Sequence, residues 1–514
     1  MSRGASARNG GSRAAVRESA DVCLIVEGCY PYVSGGVSSW VDWLMRTQQD
    51  LTFSVVAIRS GHEAYRSRYR RPPNQTAHYD LVLNAPPEGH RILRRAGAAQ
   101  SLARVLSRFI GGGGLGELRE LIGIVNADQE AWSLYELTQS RVAFDIVRGM
   151  YEALMPEASF LQFYWAWRAL CGGLFSTLKF ELPDARIYHA ISTGYAGLLA
   201  ARAAVETGRP ALVTEHGIYT NERRIEILMA EWISDTIDKG LNMDDPRMDL
   251  RDLWIKAFES YARACYEGCT NVTTLYRDNR DLQLAGGADA SRLRIIANGI
   301  DVEQFGALEV AVPGARPTMA LIGRVVPIKD TRTFIAAAAA ARRTVPDLRA
   351  LVMGPTDEDP AYVAECRRLV MELGLEDCVE FTGAVQLAQW LPHVHVVVLT
   401  SLSEAQPLVL LEAGAAGIPC VATDVGACRE IIEGAGGEDD PPEPGGFITE
   451  LVAPQQVADS VCSLLRGHAL RRHMGENLRR RVRRRYASAT ARANYTALYG
   501  TLLGDQARHL GETA

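Results

Sequence analysis

Two glutamates stand eight positions apart in Ser401-Leu-Ser-Glu404-Ala-Gln-Pro407-Leu408-Val-Leu-Leu-Glu412-Ala-Gly-Ala-Ala-Gly417-Ile-Pro419. The run before them, Val394-His-Val-Val-Val-Leu399, is short and β-branched and reads as a buried parallel strand, with Pro407 as the first residue of the next helix. Glu404 then lies at the carboxyl end of a strand and Glu412 about a turn and a half into a helix. Ligands collect at that edge of an open α/β sheet, and the arrangement suits holding a sugar nucleotide. Alone the spacing is weak, because helices carry solvated glutamates everywhere.

A second element lies upstream. Met319-Ala-Leu-Ile322 is a strand, Gly323-Arg324-Val-Val-Pro-Ile-Lys329 a loop, and Asp330 a cap for the helix that runs through Phe334. An arginine and a lysine thus meet at a strand's carboxyl end beside a helix N-terminus. A diphosphate needs such a place: Arg324 offers a bidentate charge-assisted contact, Lys329 a compact charge, and the helix its amides and dipole.

The first half offers an opposite wall. Gly35-Gly36 follows the strand Val22-Cys-Leu-Ile-Val26 and precedes a helix, so backbone can approach a phosphate or acceptor; a tight structural turn is the rival reading. His216 follows the strand Ala211–Thr214, and Arg223 and Arg224 come next, where they can meet phosphate or acceptor hydroxyls or lie on a solvated helix face. His189, after Ile187-Tyr188, is a weaker candidate. The Phe163-Tyr-Trp-Ala-Trp167 cluster reads first as core or interface and second as an acceptor-stacking surface. Arg479-Arg-Arg-Val-Arg-Arg-Arg485 reads as a solvated helix face that can touch anionic lipid or a partner.

Together Gly323-Arg324-x4-Lys329, Glu404-x7-Glu412 and Asn298-Gly-Ile-Asp301 resemble the retaining nucleotide-sugar glycosyltransferases of family 4, which have the two-domain GT-B fold. Val26-Glu-Gly-Cys-Tyr-Pro-Tyr-Val-Ser-Gly35-Gly36-Val-Ser-Ser-Trp40 and Thr214-Glu215-His216-Gly217-Ile-Tyr219-Thr-Asn-Glu222-Arg223-Arg224 look like the PelF-type glycosyltransferases of the Pel exopolysaccharide system. The resemblance runs from about Asp21 to the end. It implies transfer of a sugar from UDP-glucose, UDP-N-acetylglucosamine or UDP-N-acetylgalactosamine to a growing biofilm exopolysaccharide, with retention by reaction on one face. Carried onto this sequence, it implies catalytic roles for His216, Arg324, Lys329 and Glu404, and donor contacts from Gly35, Gly36, Gly323, Arg324, Lys329, Glu404, Pro407, Leu408 and Glu412. Glu412 would hold the ribose and Glu404 the donor sugar, with Tyr219, Arg223 and Arg224 on the acceptor side. Two cations and helix amides can neutralise the diphosphate and no Asp-x-Asp site stands out, so no metal and no cofactor are expected.

Two rivals remain open: a sugar-nucleotide epimerase or glycogen-synthase-like transferase on the same fold, and a non-catalytic nucleotide-sugar-binding subunit of a membrane synthase. The chain departs from the family pattern at Ala297, where proline often precedes Asn298, and at Ala405-Gln406, next to Glu404.

The elements that must position these residues follow from length and patterning. A chain of 514 residues, 47% hydrophobic and 23% charged, exceeds one core, so two domains are expected. A net charge of -6 gives no general attraction to nucleic acid, and none is expected as a partner. Ten cysteines without a CxxC pair fit a reducing cytoplasm. No stretch approaches the ~20 apolar residues that span a bilayer, so association with the inner face of the membrane would come through partners, which the resemblance implies are membrane-bound synthase subunits, or through a surface helix. The strands alternate with helices, which predicts an α/β fold with doubly wound, Rossmann-like parallel sheets, and the GT-B resemblance implies two such domains facing a cleft. The boundaries expected are a disordered tail at 1–20, a first domain at 21–302 with an irregular insertion at 61–150, a linker at 303–317, a nucleotide-sugar domain at 318–485, and a terminal helix at 486–514, which the GT-B resemblance implies crosses back to the first domain.

Overall fold

The computed structural model describes residues 19–61, 65–84, 97–127, 132–229, 249–309, 315–436 and 443–512. The expected tail at 1–20 falls almost wholly outside them, and Ala20 already belongs to the first strand.

The first domain is built on the strands β1 (Ala20–Glu27), β2 (Phe53–Arg59), β3 (Gln75–Val82), β4 (Ala185–Ala190), β5 (Ala211–Glu215), β6 (Asn271–Thr274) and β7 (Leu293–Ile295). They pair in the order β3-β2-β1-β4-β5-β6-β7, every pairing parallel. Continuous apolar runs suit a sheet covered on both faces. Cys23, Ile25, Val56 and Ile58 enter one core, while their neighbours Val22, Leu24, Val55 and Ala57 enter another.

The second domain holds β8 (Thr318–Ile322), β9 (Arg349–Met353), β10 (Val379–Gly383), β11 (Val396–Leu399), β12 (Cys420–Thr423) and β13 (Gly446–Thr449). Their order is β10-β9-β8-β11-β12-β13, again parallel throughout. Met319, Leu321, Val396 and Val398 face one core; Ala320, Val397, Leu399 and Ala422 face the other.

Three expectations change. The region 61–150 is no irregular insertion: β3 lies in it and forms the edge of the sheet, and helices at Ala98–Ile110, Leu115–Val125 and Arg141–Leu154 bury Leu106, Leu121 and Val147 in the first core. The expected linker begins with a one-turn helix, Val302–Gly306, whose Phe305 is buried with second-domain residues. The sixth strand of the second sheet, β13, is an addition to the expected strands and follows a Gly/Pro-rich stretch of sequence near Pro444.

The terminal helix Ser488–Glu512 packs Tyr495, Tyr499 and Leu502 beneath the first sheet, among Val22, Leu24 and Ile187. Ile300 N–H donates to Tyr486 O, and Ser488 N–H to Ile300 O, where the chain passes between domains.

Candidate functional site

Four loops at the carboxyl edge of the second sheet are tied into one surface. Gly323 N–H donates to Met353 O, and a Cβ on Gly354 would lie 1.9 Å from Gly323 O, so only glycine lets the end of β9 approach this closely. Thr400 Oγ1 donates to the carbonyls of Lys329 and Asp330 at 3.1 and 2.9 Å, Leu402 N–H to Ile328 O, and Thr423 Oγ1 to Ser401 O at 2.6 Å. Gly426, at φ +52°, brings the β12 loop against the Glu404 carbonyl. Side chains on such a cross-linked frame are held in place before a ligand arrives.

Lys329 Nζ donates to Glu404 Oε1, and Ser401 Oγ donates to the same oxygen at 2.6 Å. Asp330 caps the helix Thr331–Arg342 by accepting from Thr333 N–H, although its own φ of +44° is unusual for a residue with a side chain. Pro407 is the N-cap of the helix Leu408–Ala416 rather than its first residue, and no side chain caps that helix. Its first amides therefore remain available to an anion at the positive end of the helix dipole.

Glu412 projects from the same helix. It has no hydrogen-bond partner or ion pair among the described residues, and burial pushes its carboxyl up to about 7. An unpaired, half-buried carboxylate is costly, and hydroxyl donors from a ligand would relieve it.

Arg324 is not free as expected. Its Nη1 bridges both oxygens of Glu358 at 2.6 and 2.8 Å, with both side chains about half exposed. Glu358 lies in Asp357-Glu358-Asp359, so the chain does hold an Asp-x-Asp, contrary to the reading above. Asp359 is occupied as the N-cap of Pro360–Glu372, accepting from Tyr362 N–H at 3.0 Å.

In the first domain His216 leaves β5 with its ring against Trp40, centroids 4.7 Å apart and nearly perpendicular. Neither ring nitrogen has a partner among the described residues, and burial lowers its pKa to about 4, so the imidazole is neutral at ordinary pH. Gly35 is extended, and a Cβ at Gly35 or Gly36 would meet nothing within 4 Å. Backbone strain and close packing do not demand those glycines, and open space lies beside the helix Gly36–Thr47.

The acceptor-side arginines are correctly placed in sequence but are not free. Tyr219 OH donates to Glu27 Oε1 at 2.6 Å, and Arg223 donates through Nε to Tyr219 OH at 2.9 Å and through Nη1 to Glu226 at 2.6 Å. Arg224 pairs with Glu259 on the surface. Under them Glu215, 1% exposed, accepts from Thr193, Tyr266 and Gln283 at 3.0, 2.6 and 2.9 Å. Burial raises the carboxyls of Glu27 and Glu215 despite these donors. The network fixes the loop that carries His216 and was invisible in the sequence, since its members come from six separate elements.

Other candidates resolve as structural. His189 is buried between Tyr499 OH at 2.7 Å and Thr214 Oγ1 at 2.8 Å, held neutral with its pKa near 3. Phe163 and Trp167 are core, while Trp165 is 57% exposed. The basic run is a solvated face in part: Arg480, Arg483 and Arg484 are exposed, whereas Arg479 donates to the Ala415 and Ala416 carbonyls at a helix C-terminus and buried Arg481 donates to the carbonyls of Ile432 and Glu443. Gln406, noted only as a departure, accepts from Asn298 N–H at 2.8 Å and links the domains beside Glu404.

Residues 20–291 match the family described as Domain of unknown function (DUF3492), and residues 316–467 match Glycosyl transferases group 1. D-inositol 3-phosphate glycosyltransferase 2 of Catenulispora acidiphila is 31% identical over 194 residues, 34% of this chain and 45% of that protein. N-acetyl-alpha-D-glucosaminyl L-malate synthase of Bacillus anthracis is 34% identical over 139 residues, 27% of this chain and 34% of that protein. The chain thus spans less than half the length of these curated relatives. Among solved structures, sucrose-phosphate synthase from Thermosynechococcus elongatus gives a TM-score of 0.57 at 16% identity, over 94% of this chain and 99% of that one. Anabaena Alr3699/HepE in complex with UDP gives 0.56 at 14% identity, over 94% and 100%. The shared fold is GT-B, as the family resemblance implies, and its two doubly wound parallel sheets are what the alternation of strands and helices predicts.

Proposed function

The chain belongs to the DUF3492 family and carries a group 1 glycosyl transferase region in its second domain, and from that premise we propose that it is a retaining glycosyltransferase. It moves a hexose-type residue from a UDP-sugar to a growing exopolysaccharide, in the manner of the PelF-type enzymes. The observation that carries this reading is the pairing, on one rigid edge, of the unpartnered Glu412 with the Lys329–Glu404 pair and an uncapped helix N-terminus. Likeness in fold to a protein crystallised with UDP supports a nucleotide donor.

In this reading ribose hydroxyls donate to Glu412, donor-sugar hydroxyls to Glu404, and the diphosphate lies over the Leu408 and Val409 amides between Lys329 and Arg324. Charge develops on the departing diphosphate, and these cations and amides stabilise it with no divalent metal required. Arg324 must turn from Glu358, and Lys329 can donate one N–H to Glu404 and another to phosphate. A leaving phosphate oxygen takes the proton of the acceptor hydroxyl, which attacks from the same face. Neutral His216 can hydrogen-bond a sugar hydroxyl from the opposite wall without adding charge.

The test is incubation of the full chain, with its membrane partners and acceptor polysaccharide, with a panel of UDP- and GDP-sugars. UDP release with sugar incorporation is expected, and NMR of the product should show the donor's anomeric configuration. Inversion would exclude the same-face step, and binding without UDP release would favour a non-catalytic subunit.

A further inference from the structure

At the amino edge of the second sheet, where β11 and β12 begin and away from the Glu404 edge, lies a pocket of about 290 Å³. His395, His468, Arg471, Arg472, Arg479 and a single carboxylate, Glu476, line it together with the Gly417–Pro419 turn. None of the donor-site residues does. The space far exceeds the roughly 30 Å³ share of one water.

Three observations point to what it takes. His395 is 6% exposed, and its Nδ1 accepts from Thr318 N–H at 3.2 Å, so its proton sits on Nε2. That Nε2–H has no protein acceptor among the described residues. Burial, with Arg471 and His468 nearby, keeps the ring uncharged, its pKa near 4.

The second observation concerns the helix His468–Arg485, which starts here without a side-chain cap and with no acidic residue in its first turn. His468, Arg471 and Arg472 crowd that end instead. Cations at the positive end of a helix dipole are unfavourable unless an anion joins them.

The third is how the arginines are committed. Arg471 and Arg479 direct some of their N–H groups at helix-end carbonyls, those of Leu464 and Leu465 and of Ala415 and Ala416. Arg472 makes no hydrogen bond or ion pair among the described residues, and no carboxylate lies within salt-bridge distance of Arg471.

We propose that this pocket binds the phosphate group of a phosphomonoester, held by the His395 Nε2–H, the Arg471 and Arg472 guanidiniums and the first amides of the His468–Arg485 helix. The lone carboxylate of Glu476 disfavours a second anionic group, which selects a monoester over a polyphosphate or a nucleotide diphosphate. The same chemistry is presented by a small phosphorylated metabolite and by the phosphomonoester headgroup of phosphatidic acid.

The full chain, saturated with UDP to occupy the Arg324 and Lys329 edge, is titrated at constant ionic strength with inorganic phosphate, with glycerol 3-phosphate, and with vesicles containing phosphatidic acid. Binding of the soluble probes, weakened about tenfold in Arg472→Gln and retained in Arg324→Ala, assigns the site to a free phosphomonoester. Vesicle binding alone, weakened likewise by Arg472→Gln, assigns it to a lipid headgroup. Arg472 is exposed and unpartnered, so its substitution should leave circular dichroism and UDP affinity unchanged; His468→Gln provides an independent variant. No binding of any probe, or binding equal in Arg472→Gln, His468→Gln and the parent, overturns the proposal.

Discussion

Lys329 and Glu404 form an ion pair at the mouth of the donor edge, with side chains only 22% and 12% exposed. Each therefore supports the other before any ligand arrives. Replacing Lys329 by alanine leaves Glu404 largely buried with Ser401 Oγ as its remaining donor, and should lower stability by about 1 to 3 kcal/mol in urea denaturation. The same change, or Arg324→Ala, should cost about 2 to 4 kcal/mol of transition-state stabilisation in kcat/KM. Near-normal turnover in both variants would remove them from the mechanism.

Glu412 couples stability, binding and pH. Its carboxyl is raised from its ordinary 4.5 to about 7 by burial, so between those values the folded chain holds a proton that the unfolded chain has lost. Stability from this group is full below about 4.5 and is lost as pH rises through about 7. Glu412→Gln should therefore raise the melting temperature at pH 8 and change it little at pH 4.5. Ribose donors favour the ionised form, so UDP affinity should fall as pH drops below about 7, with up to one proton released on binding. Calorimetry in buffers of different ionisation enthalpy measures that proton, and Glu412→Gln should abolish it.

Gln406 joins the Asn298 turn to the Glu404 loop across the domain boundary. Gln406→Leu leaves the Asn298 N–H without its acceptor and should cost about 1 to 3 kcal/mol in urea denaturation. Because that bond sets how the Glu404 loop faces the first domain, the donor panel should also shift in preference, read as changed ratios of kcat/KM among UDP-sugars.

His216 is neutral well below physiological pH. Its removal in His216→Ala should lower kcat/KM on the order of a hundredfold, a loss typical of one oriented donor. The loss should be the same at pH 6 and pH 8. A loss that grows toward low pH would mean the imidazolium acts instead.

Much of the second wall was legible because its chemistry is local. Glu404, Pro407, Glu412, Arg324 and Lys329 each lie within a few residues of a strand end and a helix start, and strand, turn and helix leave marks in composition. β3 was not legible: Gln75-Thr-Ala-His-Tyr-Asp-Leu-Val82 is an edge strand, half polar, and follows Pro72-Pro73. The His216 surroundings were unreadable for another reason. Trp40 and Glu27 reach His216 and Tyr219 only through folding, and nothing near His216 in sequence names them. Arg479 and Arg481 show a third limit, since an arginine reads alike whether water or a helix-end carbonyl accepts its protons.

The helix Ser488–Glu512 places Tyr499 on His189, 310 residues earlier in the chain, and Tyr495 and Leu502 against the first strand. The first domain is thus covered by residues that follow the whole second domain in the chain. Until they emerge, one face of its sheet, including Leu24 and Val55, lacks part of its cover and is open to self-association or chaperones. The second domain has no such debt, because its two cores draw on nothing beyond Tyr486. Synthesis order and folding order should therefore be inverted, with the later domain completing first.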